Sequence, residues 1–241
     1  MTDAELAARL AEAAGRIALA VRASAAFEGR PLGGAGDALA NAFLTRALHN
    51  QRSDDAFLSE ESSDSPDRLK YRRVWIIDPI DGTREYAEAR TDWAVHVALA
   101  IDEKPVVGAV ALPDLGLTLR SDKPTPLPPL PIQPRIVVSR SRPPAEAARV
   151  AAALDAVTVP LGSAGAKAMA VVRGEAEIYL HSGGQHQWDN CAPVAVALAH
   201  GLHCSRLDGS PLRYNQPDTL LPDLLICRPE LAGPVLAALT A

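Results

Sequence analysis

The feature that most constrains the fold is a proline-rich segment just past the middle of the chain. Residues Asp122–Pro134 contain six prolines. Proline fixes φ and has no amide hydrogen, so such a run is excluded from helix interiors and from the middle of a sheet. It favours a semi-rigid, extended connector. We therefore predict a domain junction at residues 122–134, between an N-terminal part at residues 1–121 and a C-terminal part at residues 135–241.

The N-terminal part shows helical periodicity first and strand patterns later. Apolar residues recur at three- and four-residue spacing from Leu6 to Val21, with Asp3 as the expected N-cap. A glycine-rich loop at Gly29–Gly36 and a second helix at Asp37–His49 follow. Strands are predicted around Phe57-Leu58 and at Arg73–Asp78, Trp93–Ile101 and Pro105–Leu112, the last two antiparallel because a short polar turn joins them. This half is therefore expected to be α+β.

The C-terminal part alternates between strand and helix patterns. The predicted strands are Arg135–Ser139, Ala156–Leu161 and Glu177–His181, and the predicted helices are Pro144–Leu154, Ala164–Val172 and Ala192–His200. Alternation of this kind is typical of the α/β class. We expect the two halves to meet at a cleft.

Charge and composition restrict the partners. The 241-residue chain has a formal net charge of -5, which disfavours binding to nucleic acid or to anionic membranes. No run approaches the ~20 apolar residues that span a bilayer, and the charged N-terminus is unlike a secretory signal. The three cysteines, Cys191, Cys204 and Cys227, are odd in number and widely spaced, as in proteins of a reducing compartment. We expect a cytoplasmic protein.

One motif points directly to chemistry. An apolar strand ends at Asp78, Pro79 forces the chain out of helical geometry, and Asp81 follows before Gly82 and Thr83. Two carboxylates with a main-chain carbonyl between them suit Mg²⁺, which prefers oxygen ligands. The free amides at the start of the next helix suit a phosphate. Either aspartate alone would be interpreted as a cap, but the pair at the end of an apolar strand indicates function.

Other acidic residues and motifs in the chain give weaker indications of function. Glu60 ends a short apolar patch, and Asp189 begins a helix, where an N-cap role is the plain alternative. A zinc site at His181, His186 and Asp189 is disfavoured because the spacing fits no compact metal motif. Gly162–Lys167 departs from a phosphate-binding Walker loop, and the glycines before Asp37 lack the spacing of a dinucleotide-binding loop.

Three motifs together, DPIDGT at 78–83, the preceding SEES at 59–62 and the later WDNCAP at 188–193, resemble the inositol monophosphatase-like superfamily of Mg²⁺-dependent, lithium-sensitive phosphatases. The resemblance covers nearly the whole chain. It implies a layered α-β-α-β-α sandwich of the inositol monophosphatase/fructose-bisphosphatase type and suggests a homodimer. Arg84-Glu85-Tyr86, Lys167 in the Gly-Ser motif and residues 208–215 are similar to the CysQ-type branch, the 3'-phosphoadenosine-5'-phosphate phosphatases.

The resemblance also implies roles for individual residues. The implied ligands of two or three Mg²⁺ ions, for which Mn²⁺ is a substitute, are Glu60, Asp78, Asp81, Asp189 and the carbonyl of Ile80. The implied catalytic residues are Glu60, Thr83 and Asp81, with Thr83 and Glu60 orienting the attacking water. The family's Val-Thr-x-x-Asp stretch appears here as Gly33–Asp37, which keeps only the aspartate. The roles of Asp37 and of Cys191 therefore stay open.

Substrate recognition is the least specified part of the prediction. We hypothesise that Lys167, Arg84 or Arg213 pairs with a second phosphate and that Tyr214 or Trp188 offers a ring face to adenine. The remaining predicted substrate contacts are Gly82, Thr83, Ser163 and Asp189. The implied reaction removes the 3'-phosphate of 3'-phosphoadenosine 5'-phosphate in sulfur assimilation, with the sulfated nucleotide as a second substrate. Inositol-1-monophosphatase or fructose-1,6-bisphosphatase activity, and a non-catalytic phosphate-ligand sensor, stay open as alternatives.

Overall fold

A computed structural model describes residues 1–240, which form seven α-helices and ten β-strands. The helices are α1 (Asp3–Ala23), α2 (Gly29–Gln51), α3 (Thr83–Ala87), α4 (Ala145–Leu154), α5 (Ala164–Val172), α6 (Gln187–Ala199) and α7 (Pro229–Thr240). The strands are β1 (Ala56–Ser59), β2 (Arg73–Asp81), β3 (Ala94–Ile101), β4 (Lys104–Leu112), β5 (Leu117–Arg120), β6 (Arg135–Ser139), β7 (Val157–Leu161), β8 (Ile178–His186), β9 (His203–Ser205) and β10 (Leu220–Cys227). Short 3₁₀ turns lie at Pro66–Lys70 and Pro113–Leu115. Within residues 1–240, no helix combines the length and hydropathy needed to cross a bilayer.

The strands form two five-stranded sheets. The first has the order β1-β2-β3-β4-β5, in which only the β1–β2 pair is parallel. The second has the order β7-β6-β8-β10-β9, in which β7, β6 and β8 are mutually parallel. The proline-rich segment 122–134 connects β5 of the first sheet to β6 of the second. The predicted antiparallel pairing of β3 with β4 is confirmed.

Side-chain alternation along the strands places each sheet between helical layers. On β2, Trp75 and Ile77 face α1 and α2, whereas Val74 and Ile76 face α5 and α6. The outer face of the second sheet packs against α4 and α7. The layers therefore run α-β-α-β-α, and the predicted layered fold is confirmed. Asp78 continues the inward-facing row of β2, so it points into the middle layer.

The predicted loop at Gly29–Gly36 is wrong, because these residues form the first turns of α2. Pro31 lies in the first helical turn, where its missing amide hydrogen costs nothing. Gly33 and Gly36 face the segment that follows β2. A Cβ at Gly33 would lie 2.7 Å from Thr83 Cγ2, and one at Gly36 would lie 2.7 Å from Tyr86 Cε1. The close approach of α2 to α3 therefore requires glycine at both positions, although local propensity predicts a loop there.

Several predicted boundaries also need correction. β2 continues through Pro79 to Asp81. The register with β3 shifts between Asp78 and Asp81, so Pro79, which has no amide hydrogen, does not have to donate a hydrogen bond to β3. The helix predicted at Ala192–His200 begins at Gln187, and the strand predicted to end at His181 continues to His186. Thr2, rather than Asp3, caps α1 with a reciprocal capping box.

Candidate active site

The end of β2 delivers two aspartates to the middle layer. In the β2–β3 ladder Asp78 lies opposite His96, and after the register shift Asp81 lies opposite Ala94. Asp78 is 1% exposed and Asp81 is 5% exposed. Gly82 then adopts the left-handed conformation with φ 89° and lets the chain turn into α3. The turn keeps both carboxylates beneath the surface of the molecule.

The structure brings Asp189 to the same place from the other half of the chain. Ligand oxygens of Asp78, Asp81 and Asp189 all lie within 4.8 Å of one another. Asp189 is the third residue of α6, and its carboxylate accepts a hydrogen bond from the amide of His186, which caps this helix. Asp189 is thus not the N-cap itself, and part of its carboxylate remains directed at the other two aspartates.

The donor set fits a divalent cation. Within the described chain, both carboxylate oxygens of Asp78 are buried without a hydrogen-bond partner. Burial raises the pKa of Asp78 well above its usual range, and the neighbouring Glu60 and Asp81 raise it further. Burial and then Asp81 raise the pKa of Asp189 to about 7. Three carboxylates this close repel one another, and a negative charge on the buried, unpartnered Asp78 is costly unless a positive charge joins it.

Glu60 lies at the rim of this group. β1 runs parallel to β2 with Ser59 opposite Ile77, and the amide of Glu60 donates to the carbonyl of Ile77 at 3.4 Å. The backbone of Glu60 therefore lies beside that of Asp78, although the Glu60 side chain is exposed. Partial burial of its carboxyl raises the pKa of Glu60, and Asp81 raises it further. Glu60 is not a member of the tight three-aspartate group.

Asp37 is placed against Thr83, a contact that the sequence left open. Thr83 donates its hydroxyl to Asp37 Oδ2 at 2.9 Å, and the same hydroxyl lies 3.2 Å from the carbonyl of Ile80. Burial raises the pKa of Asp37 to about 7, against the lowering effect of the Thr83 hydrogen bond. The carboxylate of Asp37 can therefore accept a proton from the Thr83 hydroxyl, and Thr83 follows Asp81 by two residues.

The N-terminus of α5 holds Asp81 from the second half. The amides of Ala164 and Gly165 donate to the two carboxylate oxygens of Asp81, at 3.1 Å and 2.5 Å. Ser163 caps this helix and lies against Gly82. Burial by itself raises the pKa of Asp81, but His96 and the Gly165 amide outweigh burial and lower it. Asp81 is therefore held ionised and fixed in orientation.

His96 was missed by the sequence analysis. It is the one polar residue within the apolar strand Ala94–Ile101, it is fully buried, and it lies between Asp81 and the carbonyl of Trp188. A single polar residue in a buried strand is the signal that would have pointed to it.

Lys167 is not the solvated surface lysine that its place near a helix start suggests. It is 3% exposed, and its ammonium donates to the carbonyl of Ser163 at 2.7 Å and to that of Gly162. Burial lowers the pKa of Lys167 to about 8. The side chain also lies over the ring of Tyr179, 5.4 Å from its centroid. Its position inside the site is therefore fixed by the main chain.

The other predicted substrate residues are not all brought together. Arg84 is exposed at the start of α3, three residues after Asp81. Arg213 pairs with Glu103 of the β3–β4 turn at 2.9 Å and faces a different groove, beside Leu198. Tyr214 is fully buried with its hydroxyl on Asn190, so the expectation that its ring stacks on adenine needs correction.

Trp188 is half-buried and has one ring face occupied. Its indole stacks on the imidazole of His186, with centroids 4.6 Å apart and planes 5° apart. His186 in turn meets the hydroxyl of Thr219, and His181 meets the carbonyl of Gly183. These two histidines are thus engaged elsewhere and do not join Asp189 in the described acidic group.

Comparison with known proteins gives concordant matches. Residues 7–240 match the model of the inositol monophosphatase family. The chain is 51% identical to the 3'-phosphoadenosine 5'-phosphate phosphatase of Mycobacterium leprae, over 96% of this chain and 91% of the relative. It is 29% identical to the 3'(2'),5'-bisphosphate nucleotidase CysQ of Escherichia coli, over 78% and 81%.

Solved structures show the same fold. The inositol monophosphatase of Anabaena aligns with a TM-score of 0.80 at 21% identity, over 98% of this chain and 94% of that one. CysQ of Bacteroides thetaiotaomicron aligns with a TM-score of 0.78 at 23% identity, over 91% and 94%.

Proposed function

The chain belongs to the inositol monophosphatase family, and within that family we propose that it hydrolyses 3'-phosphoadenosine 5'-phosphate. The 3'-phosphate is removed, and the products are AMP and inorganic phosphate. Relatives that match the chain over most of its length carry the name of this activity. The observation that carries the proposal is the buried group of Asp78, Asp81 and Asp189 beside the Thr83 hydroxyl.

We assign Mg²⁺ to the carboxylates of Glu60, Asp78, Asp81 and Asp189 together with the carbonyl of Ile80. When bound, two or three Mg²⁺ ions supply a water of lowered pKa and neutralise charge on the leaving oxygen. Mn²⁺ prefers similar oxygen ligands and is expected to substitute. The two unpartnered oxygens of Asp78 support this assignment, because a cation compensates the charge that burial penalises.

Thr83 and Asp37 are proposed to handle the attacking water. Because Thr83 donates its hydrogen to Asp37, its oxygen is left to accept a hydrogen bond from water. The water loses a proton towards this pair, its oxygen bonds to phosphorus, and the bond from phosphorus to the 3'-oxygen breaks. The 3'-oxygen takes up a proton from solvent, which completes AMP. Glu60, at the rim, orients the same water.

Substrate recognition is proposed to centre on Arg84 and Trp188. Arg84 is exposed, and among the described residues it has no ion-pair partner, so its charge is free for a 5'-phosphate. His186 covers one face of Trp188, which leaves the opposite face for adenine. Lys167 has one ammonium donor beyond the two given to main-chain carbonyls. Gly82, Ser163, Thr83 and Asp189 complete the proposed contacts.

The decisive experiment compares kcat/KM for three phosphate esters with the purified protein in saturating Mg²⁺. We expect 3'-phosphoadenosine 5'-phosphate to exceed inositol 1-phosphate and fructose 1,6-bisphosphate by at least about 100-fold, because only the nucleotide offers both a second phosphate to Arg84 and an adenine ring to Trp188. Asp78→Asn is the inactive control. Equal values for the three esters, or a preference for inositol 1-phosphate, would contradict the proposed substrate.

The same assay separates the enzyme from a non-catalytic sensor. A sensor would bind the bisphosphorylated nucleotide, as calorimetry measures, but would release no phosphate.

We further propose a cytoplasmic site of action, which the three free thiols support, and a homodimer, which sedimentation measures directly.

A further inference from the structure

His96 occupies a position where the two halves of the active site meet. It projects from β3 into the middle layer and is 0% exposed. Its Nδ1 lies 3.0 Å from the carbonyl oxygen of Trp188, in the first turn of α6. Its Nε2 lies 3.3 Å from Asp81 Oδ2, at the end of β2. One imidazole therefore touches both segments that carry the grouped aspartates.

The two contacts decide which ring nitrogens carry hydrogen. A carbonyl oxygen only accepts hydrogen bonds, so Nδ1 of His96 is the donor to Trp188. Nε2 attracts the Asp81 carboxylate only when it carries a hydrogen too, so the link to Asp81 is an ion pair of the protonated imidazole. The Nε2 edge of the ring is packed closely against Gly165 of α5, where even an added Cβ would collide with Nε2. The ring therefore has no room to turn. The imidazole is thus fixed in plane by β2, α5 and α6.

We propose that His96 is a positioning residue for the metal site, tying Asp81 of the first sheet to the backbone one residue before Asp189. The inference rests on the proposed function, since it concerns the same aspartates. Asp81 and Asp189 repel each other before a cation binds, and they come from distant parts of the chain. A rigid link between their segments holds both carboxylates at the separation that binding requires. Loss of such an outer contact typically weakens metal affinity by about 10–100-fold.

Three substitutions separate the two contacts of the imidazole. The amide nitrogen of asparagine occupies nearly the place of Nδ1, so His96→Asn keeps the Trp188 contact and loses the Asp81 contact. The amide nitrogen of glutamine reaches the place of Nε2, so His96→Gln keeps the Asp81 contact alone. His96→Ala removes both. His200 is a matched control: it is 7% exposed, and its Nδ1 meets the carbonyl of Val196 at 2.8 Å at the far end of α6.

The test measures Mn²⁺ binding directly, by electron paramagnetic resonance of the free ion, with thermal unfolding in EDTA to confirm that each variant folds. We expect dissociation constants raised about 10-fold in His96→Asn and His96→Gln and about 100-fold in His96→Ala. The same changes at His200 leave the constant within about two-fold. With saturating Mg²⁺, kcat of the single-contact variants recovers, and KM for the nucleotide is unchanged.

The outcomes are distinguishable. Wild-type affinity in folded His96→Asn and His96→Gln overturns the inference while the proposed function stands. Equal losses in the His96 and His200 variants also overturn it, because they reveal a merely structural effect. Absence of Mn²⁺ binding by the wild-type protein contradicts the metal assignment itself. If His96→Ala does not fold, the asparagine and glutamine variants decide the question.

Discussion

Asp37, which we propose as the proton acceptor behind Thr83, is a buried carboxyl that lowers stability when it is ionised. It is 4% exposed, and its Oδ1 finds no partner among residues 1–240. Burial raises its pKa to about 7, well above the ordinary value of about 4 for an aspartate. Between about pH 4 and 7 the folded protein keeps a proton that the unfolded chain releases, so the free energy of unfolding falls as pH rises through this window.

Replacing Asp37 by asparagine is therefore expected to have opposite effects on stability and activity. In the metal-free protein at about pH 8, Asp37→Asn should raise the free energy of unfolding by at least ~1 kcal/mol, because the buried charge is gone. At about pH 4, where both proteins are neutral at this site, the difference should disappear. kcat should fall by about 100-fold or more through loss of the proton acceptor. Urea unfolding in EDTA at both pH values measures the first effect. A stability difference that does not change with pH would contradict it.

At the scale of elements, the position of α2 depends on where its glycines lie. Gly36 is buried, and an added Cβ would lie 2.7 Å from Tyr86 Cε1 and 2.9 Å from Ile80 Cδ1. Gly34 is exposed, and a Cβ there would meet no described atom within 4 Å. One helix thus contains a glycine that packing requires and one that it does not.

Two alanine substitutions test this difference. Gly36→Ala should lower the free energy of unfolding by about 1–3 kcal/mol, because the helix must move away from α3. Gly34→Ala should raise it by about 0.5–1 kcal/mol, because alanine favours the helix without meeting a neighbour. Chemical denaturation of both variants gives the comparison. Effects of the same sign would contradict the packing explanation.

At the scale of the whole molecule, a buried arginine joins the two parts. The side chain of Arg68 is 2% exposed; it pairs with Asp64 and donates to Asn215 Oδ1 at 2.8 Å and to the carbonyl of Gln216 at 2.9 Å. These contacts run from the segment between β1 and β2 to the loop before β10. The division at 122–134 stays a prediction, but the parts on either side of it are held together by such contacts and by the shared middle layer.

Removal of this contact should weaken the whole fold. Arg68→Met should lower the free energy of unfolding by about 3 kcal/mol, because its buried partners lose their donors. Lys70→Met is the control: its ion pair with Asp67 is exposed on both sides, and its loss should change stability by less than about 0.5 kcal/mol. Thermal unfolding of both variants measures the difference. Similar losses in the two would refute the role given to Arg68.

The sequence alone indicated the acidic chemistry of the candidate site, and the resemblance of its motifs to a known family implied the layered architecture. The apolar strand that ends at Asp78, the glycine after Asp81 and the acidic positions at Glu60 and Asp189 are properties of short segments, and hydrophobic periodicity sets which face of each element is buried. Three motifs in order were enough to indicate a metal-dependent phosphatase of this family.

Only the tertiary structure decided how residues distant in sequence meet. It placed Asp37 behind Thr83, the amides of α5 on Asp81, and Tyr214 inside the core rather than at the site. It also put His96 between two segments and made Gly33–Gly36 helical. Each of these depends on how closely separate elements pack, and that distance is set by side chains far away along the chain, which local propensity does not contain.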